Sequence, residues 1–419
     1  MKYWLFVCVL SLVGFGLTGE TYAELKTKSE GEVGVSARAF YPDDDDRTED
    51  FGLSLEAELD LRAKAGGFRN QIQVFGRVGA LDSDRSTVFL KDAWVGYRNE
   101  FMDVRLGTQI LNWTATEAFH PSDNINSRNL DSDIENAEKI GEPMASLRFR
   151  WEQGGITGYF MPVRMEPRLP GPRSRLNITG GQQLGSPLWA GADGEVDDGW
   201  FAPQWAVRLD QTLGSADLAV YYVDHQDRSQ PAIVASLSTL EAQALFVRVQ
   251  RIGGTYTHAL GEWLVKAEVD HRLFTAPETG PEQMLVRAPS VDHTAVALGV
   301  EWGWVYDQAE GTILAEGQGA IAPDATPEEQ AQLGPFQRDV LVGYRHSFNN
   351  AESTEILLGA IVDLEDPSEV LGNLNLSHRL SDNWVMRGSG RLVFASAEES
   401  LLKSLDEAHS LQLSLIRYF

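Results

Sequence analysis

Charged side chains stand at every second position of the most regular segment of the chain. Between Phe51 and Ala65 the polar positions carry charges of both signs, at Glu56, Glu58, Asp60, Arg62 and Lys64. A β-strand places alternate side chains on opposite faces, so these charges would share one face and the apolar residues the other. A face of fixed charges can attract, orient or exclude ions in water, which is selection by electrostatics and needs no bond making.

The same alternation assigns further polar side chains to a water-filled interior. If the apolar faces contact lipid, charges must point the other way, because a charge on the lipid face at mid-bilayer costs about 2–4 kcal/mol. The alternative is that these charges only pair with one another and fill a closed interior. The predicted lumen-lining residues, besides the five above, are Arg77, Arg105, Gln109, Arg148, Arg150, Arg208, Lys266, Glu268, Asp270, Arg272, Arg387 and Arg391.

Two long segments between predicted strands are candidates for a constriction. The first runs from Asn112 to Met144 and has mixed charges, and a solvated external loop is an equally good interpretation of it. The second runs from Arg164 to Trp200 and combines arginines with prolines. The candidate constriction residues of the first segment are Trp113, His120, Asp123, Asn124 and Arg128.

The chain lacks the common sequence motifs of enzymes and metal sites. The chain has no nucleophile elbow, no His-Glu-x-x-His, no phosphate-binding loop and no histidines at metal-ligand spacing. Its one cysteine, Cys8, lies among the first residues. The sequence therefore predicts no catalytic residue, no metal site and no cofactor, although a triad assembled across strands would leave no local motif.

The net charge of −26 bears on partners. Nucleic acid is disfavoured, since its binding needs a cationic surface. An acidic surface suits cations, or a lipid layer whose anionic head groups are bridged by divalent ions. We therefore expect outer-membrane lipid and lipopolysaccharide as partners, although solubility alone accounts for much of the charge.

Eighteen segments show the strand pattern. The stretch at 251–254 could divide one of them into two short strands, so the expected number is about 16–18. The last segment alternates up to Phe419, and such a terminal strand needs a partner, which the first strand supplies in a closed barrel. The segments are 31–41, 51–65, 71–80, 88–98, 103–112, 145–151, 156–163, 201–211, 216–224, about 241–258, 263–274, 292–306, 312–321, 336–348, 354–364, 370–378, 384–395 and 409–419.

The connections between these segments alternate between short turns and long links. Outer-membrane barrels have short periplasmic turns and long external loops, whereas a soluble sandwich, the main rival, needs no such asymmetry. Aromatic residues near strand ends, such as Tyr41, Trp151 and Trp263, fit the girdles at the two membrane interfaces. The sequence thus predicts an all-β antiparallel transmembrane barrel of about 16–18 strands with both termini in the periplasm. Barrels of this size leave an aqueous lumen.

The first residues are typical of an export signal. Lys2 precedes an apolar run from Trp4 to Leu17, and small residues before Glu24 offer a cleavage site. A membrane anchor is the alternative, but the run is shorter than the ~20 residues of a spanning helix. We expect residues 1–23 to be a signal peptide and residues 24–419 to form the barrel, with long external loops at 112–144 and 164–200.

One region resembles a known family. The run from Arg105 to Trp113, followed by His120-Pro121-Ser122-Asp123-Asn124 and Arg128, is similar to a pattern in porin-like outer-membrane β-barrels of Gram-negative bacteria, some of them grouped near the alginate-export porins. Thr114 replaces a glycine of that pattern and His120 an asparagine. The terminal strand ending in Phe419 also resembles the signal read by the barrel-assembly machinery.

Together these features favour a non-enzymatic outer-membrane channel. The expected role is passive diffusion or export of small polar or anionic solutes through a charged lumen. The alternative is a dedicated exporter or receptor barrel for a polysaccharide or hydrophobic compound, acting with periplasmic partners. A scaffold or a barrel enzyme is a third class.

Overall fold

The structure is a computed structural model of the chain. The predicted signal peptide, residues 1–23, and the candidate residue Asn124 lie outside the described residues. The described residues are 24–41, 50–81, 85–123, 125–133, 137–177, 181, 183–229, 231–238, 241–280, 283–331, 333–334, 337–395, 401–406 and 408–419.

The described residues are almost all in strands and their connections. The exceptions are a short helix, α1 (Pro327–Ala331), and a 3₁₀ turn (Leu401–Leu405). In the described part of the chain, no helix has the length and apolar character needed to cross a membrane. The strands are β1 (Lys26–Tyr41), β2 (Phe51–Ala65), β3 (Phe68–Gly79), β4 (Thr87–Arg98), β5 (Met102–Gln109), β6 (Arg128–Asn129), β7 (Glu138–Lys139), β8 (Glu142–Trp151), β9 (Gly154–Val163), β10 (Gly185–Ala190), β11 (Val196–Asp197), β12 (Phe201–Leu213), β13 (Ala216–Gln226), β14 (Ala232–Ser236), β15 (Ala242–Phe246), β16 (Arg248–Leu260), β17 (Trp263–Phe274), β18 (Gln283–Arg287), β19 (His293–Tyr306), β20 (Ala309–Ile321), β21 (Arg338–Ser347), β22 (Glu355–Asp363), β23 (Val370–Ser381), β24 (Trp384–Phe394) and β25 (His409–Tyr418).

Eighteen of these strands form one closed antiparallel sheet. Each pairs with its neighbour among the barrel strands along the chain, and β1 pairs with both β2 and β25. Val35 of β1, for example, lies opposite Leu55 on one side and Leu415 on the other. The first and last strands therefore close the barrel and leave no open edge, as the alternation up to Phe419 predicts.

The alternation in sequence separates an apolar outer face from a polar inner face. On β2, Leu53, Leu55 and Leu61 are exposed, while the intervening Glu56 and Glu58 are partly buried inside the barrel. An apolar surface that extends around a whole barrel would be unfavourable in water and is the surface that a bilayer covers. The all-β barrel class predicted from the sequence is confirmed, and its strand number is 18.

Short and long connections lie at opposite ends of the barrel. Two-residue turns follow β2, β12 and β16, and Gly66, Gly214 and Gly261 in these turns have positive φ angles of 58°, 63° and 64°. Glycine adopts this conformation at little cost, which allows such tight hairpins. The long connections, including 110–141 and 164–200, lie at the other end, which we call the long-loop end.

Segments of three long connections form a second sheet of five strands at the long-loop end. Its order is β11-β10-β15-β14-β18, and β10 runs parallel to β15. Ala190, Val234 and Leu245 are buried in its core. The predicted single strand 241–258 is wrong, since residues 242–246 join this second sheet as β15 and the barrel strand β16 begins at Arg248. The apolar run Ala244-Leu245-Phe246 is buried on both faces, which alternation does not reveal.

Candidate functional site: the lumen and an inward-folded loop

The connection between β5 and β8, residues 110–141, folds into the barrel, and we call it the inward loop. Trp113, Phe119 and Ile125 are 4%, 3% and 2% exposed. The sequence allows two interpretations of this segment, a constriction and a solvated external loop. The structure places the segment inside the barrel, as the constriction interpretation requires. Several inner-face side chains of the barrel wall hold the loop in place.

The first attachment of the inward loop is Glu268 on β17. Its Oε1 accepts hydrogen bonds from the backbone N–H groups of Ala115 and Thr116, at 2.6 and 3.0 Å, and from Thr116 Oγ1 at 2.8 Å. Its Oε2 accepts the N–H of Ser122 at 2.9 Å. Glu268 is 1% exposed, so these donors take the place of water around its carboxylate.

The second attachment lies further around the ring, on β20 and β21. Glu316 of β20 accepts the N–H groups of Glu117 and Ala118 at 2.6 and 2.9 Å. The Glu117 carboxylate in turn accepts from Lys266 at 2.7 Å and from Arg345 of β21 at 3.2 Å. Burial alone would raise the pKa of Glu117, but the two cations outweigh it and hold that pKa below its usual value.

An apolar contact fixes the tip of the inward loop. Phe119 belongs to one buried apolar cluster with inner-face residues of β20 to β24, among them Leu341 and Leu371, and with Leu402 of the 3₁₀ turn. These apolar residues occupy inward positions of their strands, where a wholly wet lumen would favour polar side chains. The barrel wall at β20–β24 is thus built to receive the loop.

The second half of the inward loop reaches the wall on the other side of the lumen. It contains the short hairpin β6–β7. Asp133 pairs with Arg391 of β24 at 2.9 Å and Glu138 pairs with Arg77 of β3 at 2.9 Å. Arg38 of β1 donates to the Ser132 carbonyl at 3.0 Å.

A network inside the inward loop connects its two halves. Asp123 accepts the N–H of Trp113 at 3.1 Å and pairs with Lys139 at 2.5 Å and with Arg128 at 3.4 Å. His120 Nδ1 lies 2.7 Å from Thr114 Oγ1. Burial lowers the pKa of His120, against the opposing effect of the carboxylates of Glu268 and Asp123.

The inward loop crosses the lumen from wall to wall. It leaves the wall at β5, and its contact at Arg345 is on β21. Between these two strands the ring contains β8, β9, β12, β13, β16, β17, β19 and β20, so β21 lies diametrically opposite β5 in the 18-stranded barrel. The loop therefore narrows the lumen.

Four arginines on β5, β8 and β12 form a basic wall: Arg105, Arg148, Arg150 and Arg208. Arg148 makes two hydrogen bonds to Asp210, at 2.5 and 2.6 Å, while Arg105 lies 4.5 Å from the Trp94 ring centroid. Arg208 lies over the Trp113 ring of the inward loop at 5.1 Å. Nη1 of Arg150 is buried and has no hydrogen-bond partner among the described residues. The wall therefore has donors that its own acids do not satisfy.

The inner face of β1 and β2 forms an acidic wall: Glu32, Glu56, Glu58 and Asp60. A cavity of about 360 Å³ lies against it, bordered on the other side by Glu355 of β22 and Arg387 of β24. A second cavity of about 460 Å³ lies near the short turns, along Glu58 and Asp60. Within this wall Gln73 donates to Glu58 at 2.5 Å, and Lys91 pairs with the same carboxylate.

All predicted lumen-lining residues occupy inner-face positions of barrel strands, but they differ in what they contact. One group is covered by the inward loop or by neighbouring wall residues, and the other borders the remaining space. The covered group is Arg77, Gln109, Lys266, Glu268, Asp270, Arg272 and Arg391. The second group is Glu56, Glu58, Asp60, Arg62, Lys64, Arg105, Arg148, Arg150, Arg208 and Arg387.

Asp270 illustrates the covered group. It is fully buried and accepts from Arg251 at 2.5 Å and from Arg272 at 2.6 Å. Both arginines also donate to the Pro121 carbonyl of the inward loop. This ion network therefore helps to hold the inward loop and does not border the open part of the lumen.

Four wall residues that hold the loop are absent from the predicted set: Arg38, Arg251, Glu316 and Arg345. Arg38, Glu316 and Arg345 follow the same period of two and could have been found by applying it to every strand. Arg251 stands in the segment whose strand boundaries were predicted wrongly. The Arg251 side chain points inward because the residue lies opposite the inward Arg272 in the strand register.

Among the residues that the structure describes, no group of three or more His, Cys, Asp or Glu side chains could hold a metal ion. No protein-family model and no curated protein matches the chain. Solved structures do match.

OccK5 of Pseudomonas aeruginosa aligns over 94% of this chain and 97% of its own, with 10% identity and a TM-score of 0.50. A mutant of Rh. blastica porin aligns over 94% and 100%, with 9% identity and a TM-score of 0.47. Vibrio cholerae OmpT, an outer-membrane protein, aligns over 94% and 99%, with 10% identity and a TM-score of 0.46. The likeness to OccK5 extends over nearly the whole of both chains and shows a shared barrel fold.

Proposed function

We propose that this chain is a porin-like channel of the outer membrane of a Gram-negative bacterium, through which small polar solutes, preferentially anions, pass by diffusion. The observation that carries the proposal is the inward loop, held across the lumen by Glu268, Glu316 and Arg345. A loop fixed at this position narrows a wide barrel to a constriction. The barrel fold supports the placement in a membrane.

The preference for anions follows from the basic wall. Among the described residues, two of its four arginines form ion pairs, Arg105 with Asp103 and Arg148 with Asp210. Arg208 makes no ion pair among the described residues and lies over the Trp113 ring, so its guanidinium keeps donors that a carboxylate or another anionic group of a solute would use. The acidic wall on β1 and β2 lies about a quarter of the ring away from the basic wall, and the two walls of opposite charge create a field that orients a dipolar solute as it passes.

Planar-bilayer recording tests the channel. The refolded barrel should give discrete conductance steps, and a salt gradient should give a reversal potential of the sign that anion preference requires. Deleting residues 115–121, the part of the loop held by Glu268 and Glu316, should raise the conductance. A barrel that inserts into the bilayer but passes no current in any salt would reject the open channel.

The covering of the lumen favours a second candidate, a dedicated exporter or receptor barrel opened by a periplasmic partner. Loop residues such as Trp113 and Phe119 are buried inside the barrel, and a five-stranded sheet lies at the long-loop end, as expected for a barrel that opens only when a partner binds. This candidate predicts a wild type with little current and a strongly conducting 115–121 deletion. The resemblance to alginate-export porins, if it reflects a shared role, would favour this exporter candidate.

The two ends of the chain would carry the signals for export and for assembly of the barrel. Residues 1–23 would direct export and be removed, and the strand ending in Phe419 would be recognised by the barrel-assembly machinery. The apolar outer face would contact phospholipid and lipopolysaccharide, and the role is transport without catalysis. Cell fractionation of a tagged chain, with and without Phe419, tests the targeting.

A further inference from the structure

Arg417 points out of the barrel. On β25 it follows the inward Ile416 and precedes the inward Tyr418, whose hydroxyl accepts from Arg387 in the lumen. It shares the outer face with Leu413 and Leu415, which are exposed. Its guanidinium therefore stands on the surface that the proposed membrane location gives to lipid.

The position of Arg417 along the strand is that of an aromatic girdle. It lies opposite Trp384, the first residue of β24 after a short turn. Other outward aromatics stand within a few residues of short turns, at the level where head groups meet water. They include Phe68, Tyr97, Trp151, Trp263, Tyr306 and Phe348.

Two other arginines face outward from the described barrel strands, and both have a carboxylate partner. Arg248 pairs with Asp224 at 2.5 Å, and Arg338 pairs with Glu365 at 2.8 Å. Arg417 has no ion-pair partner among the described residues, and its guanidinium lies 5.9 Å from the Trp384 ring centroid. Within the part of the chain that the structure describes, the two arginines at the long-loop end therefore have a counter-ion and Arg417 has none.

We propose that Arg417 and the indole N–H of Trp384 bind the phosphate of a glycerophospholipid in the leaflet at the short-turn end. The inference rests on the membrane location proposed above. A guanidinium presents its donors in a fork that fits two phosphate oxygens, and binding strengthens where water is partly excluded. Trp384 makes no side-chain hydrogen bond within the described residues, so its N–H is available as a further donor.

Native mass spectrometry of the refolded barrel in detergent, with added phosphatidylglycerol, tests the site. Wild type should retain one lipid that survives collisional activation. Arg417→Gln should bind it about five- to tenfold more weakly, since a charge-assisted contact is lost. The matched control is Arg338→Gln, which removes an outward arginine already paired with Glu365 and should bind like wild type.

A lysine variant and a lipid without phosphate identify which chemical groups make the contact. Arg417→Lys keeps the charge without the fork and should bind with intermediate affinity, and dioleoylglycerol, which lacks phosphate, should not be retained. Equal binding by wild type, Arg417→Gln and Arg338→Gln would overturn the proposal, as would equal retention of dioleoylglycerol. If Arg417→Gln does not refold, Trp384→Leu replaces it and should weaken binding by about twofold or more.

Failure of the lipid-binding proposal can be distinguished from failure of the channel proposal. Each sample is first checked for the folded barrel by its heat-dependent mobility on a gel, so loss of the fold is recognised before lipid is added. A folded barrel that carries no current but retains phosphatidylglycerol through Arg417 would reject the channel and keep the lipid site.

Discussion

Thr116 in the inward loop and Glu268 on β17 are joined by two hydrogen bonds to one carboxylate oxygen. Thr116 N and Oγ1 lie 3.0 and 2.8 Å from Glu268 Oε1. Because Ala115 and Ser122 donate to the same carboxylate, its charge is compensated by loop donors. The position of the loop therefore depends on a single carboxylate of the barrel wall, six strands around the ring from the β5 origin of the loop.

Replacing this acid should loosen the loop. Glu268→Gln keeps the shape but substitutes an NH₂ group for one acceptor oxygen, so at least one loop donor loses its partner, at about 1–3 kcal/mol. We expect faster hydrogen exchange in residues 114–122 and a noisier, larger channel current. Glu152→Gln, in the exposed turn after β8, is the control and should change neither. Unchanged exchange in Glu268→Gln would contradict the attachment.

The basic wall should set the ion preference. The triple variant Arg105→Gln, Arg150→Gln and Arg208→Gln removes positive charge from the lumen and leaves the Arg148–Asp210 pair intact. The reversal potential in a salt gradient should move toward cation preference, with the anion-to-cation permeability ratio falling about twofold or more. Arg338→Gln, on the outer face, should leave the ratio unchanged. If both variants behave like wild type, the wall does not select.

The barrel strands could be predicted because alternation is a local signal. Each strand carries its own period of two, and a long apolar-polar segment such as Phe51–Ala65 can be interpreted without knowing its neighbours. The inward loop gives no such signal. Its contacts join residues far apart in sequence, such as Glu117 with Arg345, and nothing local distinguishes an acid that binds the loop from one that faces water.

The boundary between the barrel and the second sheet cannot be predicted from the alternation of apolar and polar residues. β15 and β16 are separated by one residue, Val247, yet belong to different sheets. The sequence of this segment therefore predicts one strand where the structure has two. The boundary depends on the pairing of β10 with β15 across a long connection, which is a tertiary contact.

Trp113 should be the main apolar support of the inward loop near its origin. Its ring lies 5.7 Å from Tyr159 and 5.2 Å from Tyr221, measured between centroids, under the guanidinium of Arg208. Trp113→Ala would remove a large buried side chain and should lower the free energy of unfolding by about 3–5 kcal/mol if the cavity does not collapse. Urea unfolding followed by far-UV circular dichroism measures this.

The control for Trp113→Ala is Trp200→Ala, which truncates an exposed tryptophan and should change stability by less than about 0.5 kcal/mol. Equal effects of the two substitutions would show that Trp113 does not support the loop in the way its burial indicates.

The inward loop should lose stability in mild acid through His120. Burial lowers its pKa below the ordinary value of 6.5, so the folded loop binds the proton more weakly than the unfolded chain does. The stabilising contribution is complete above pH 6.5 and is lost as the pH falls from there through the folded pKa. Glu268, Asp123, Arg128 and Lys139 also face this histidine, and the first two oppose the shift.

Hydrogen exchange of residues 112–123 at pH 5.5 and 7.5, corrected for intrinsic rates, measures this dependence. Wild type should lose protection at the lower pH, while His120→Asn, which carries no titrating ring, should have a smaller difference between the two conditions. His378→Asn, which alters a histidine that hydrogen-bonds Thr354 far from the loop, should behave like wild type. A pH effect of equal size in His120→Asn would contradict the role of His120 in the acid sensitivity of the loop.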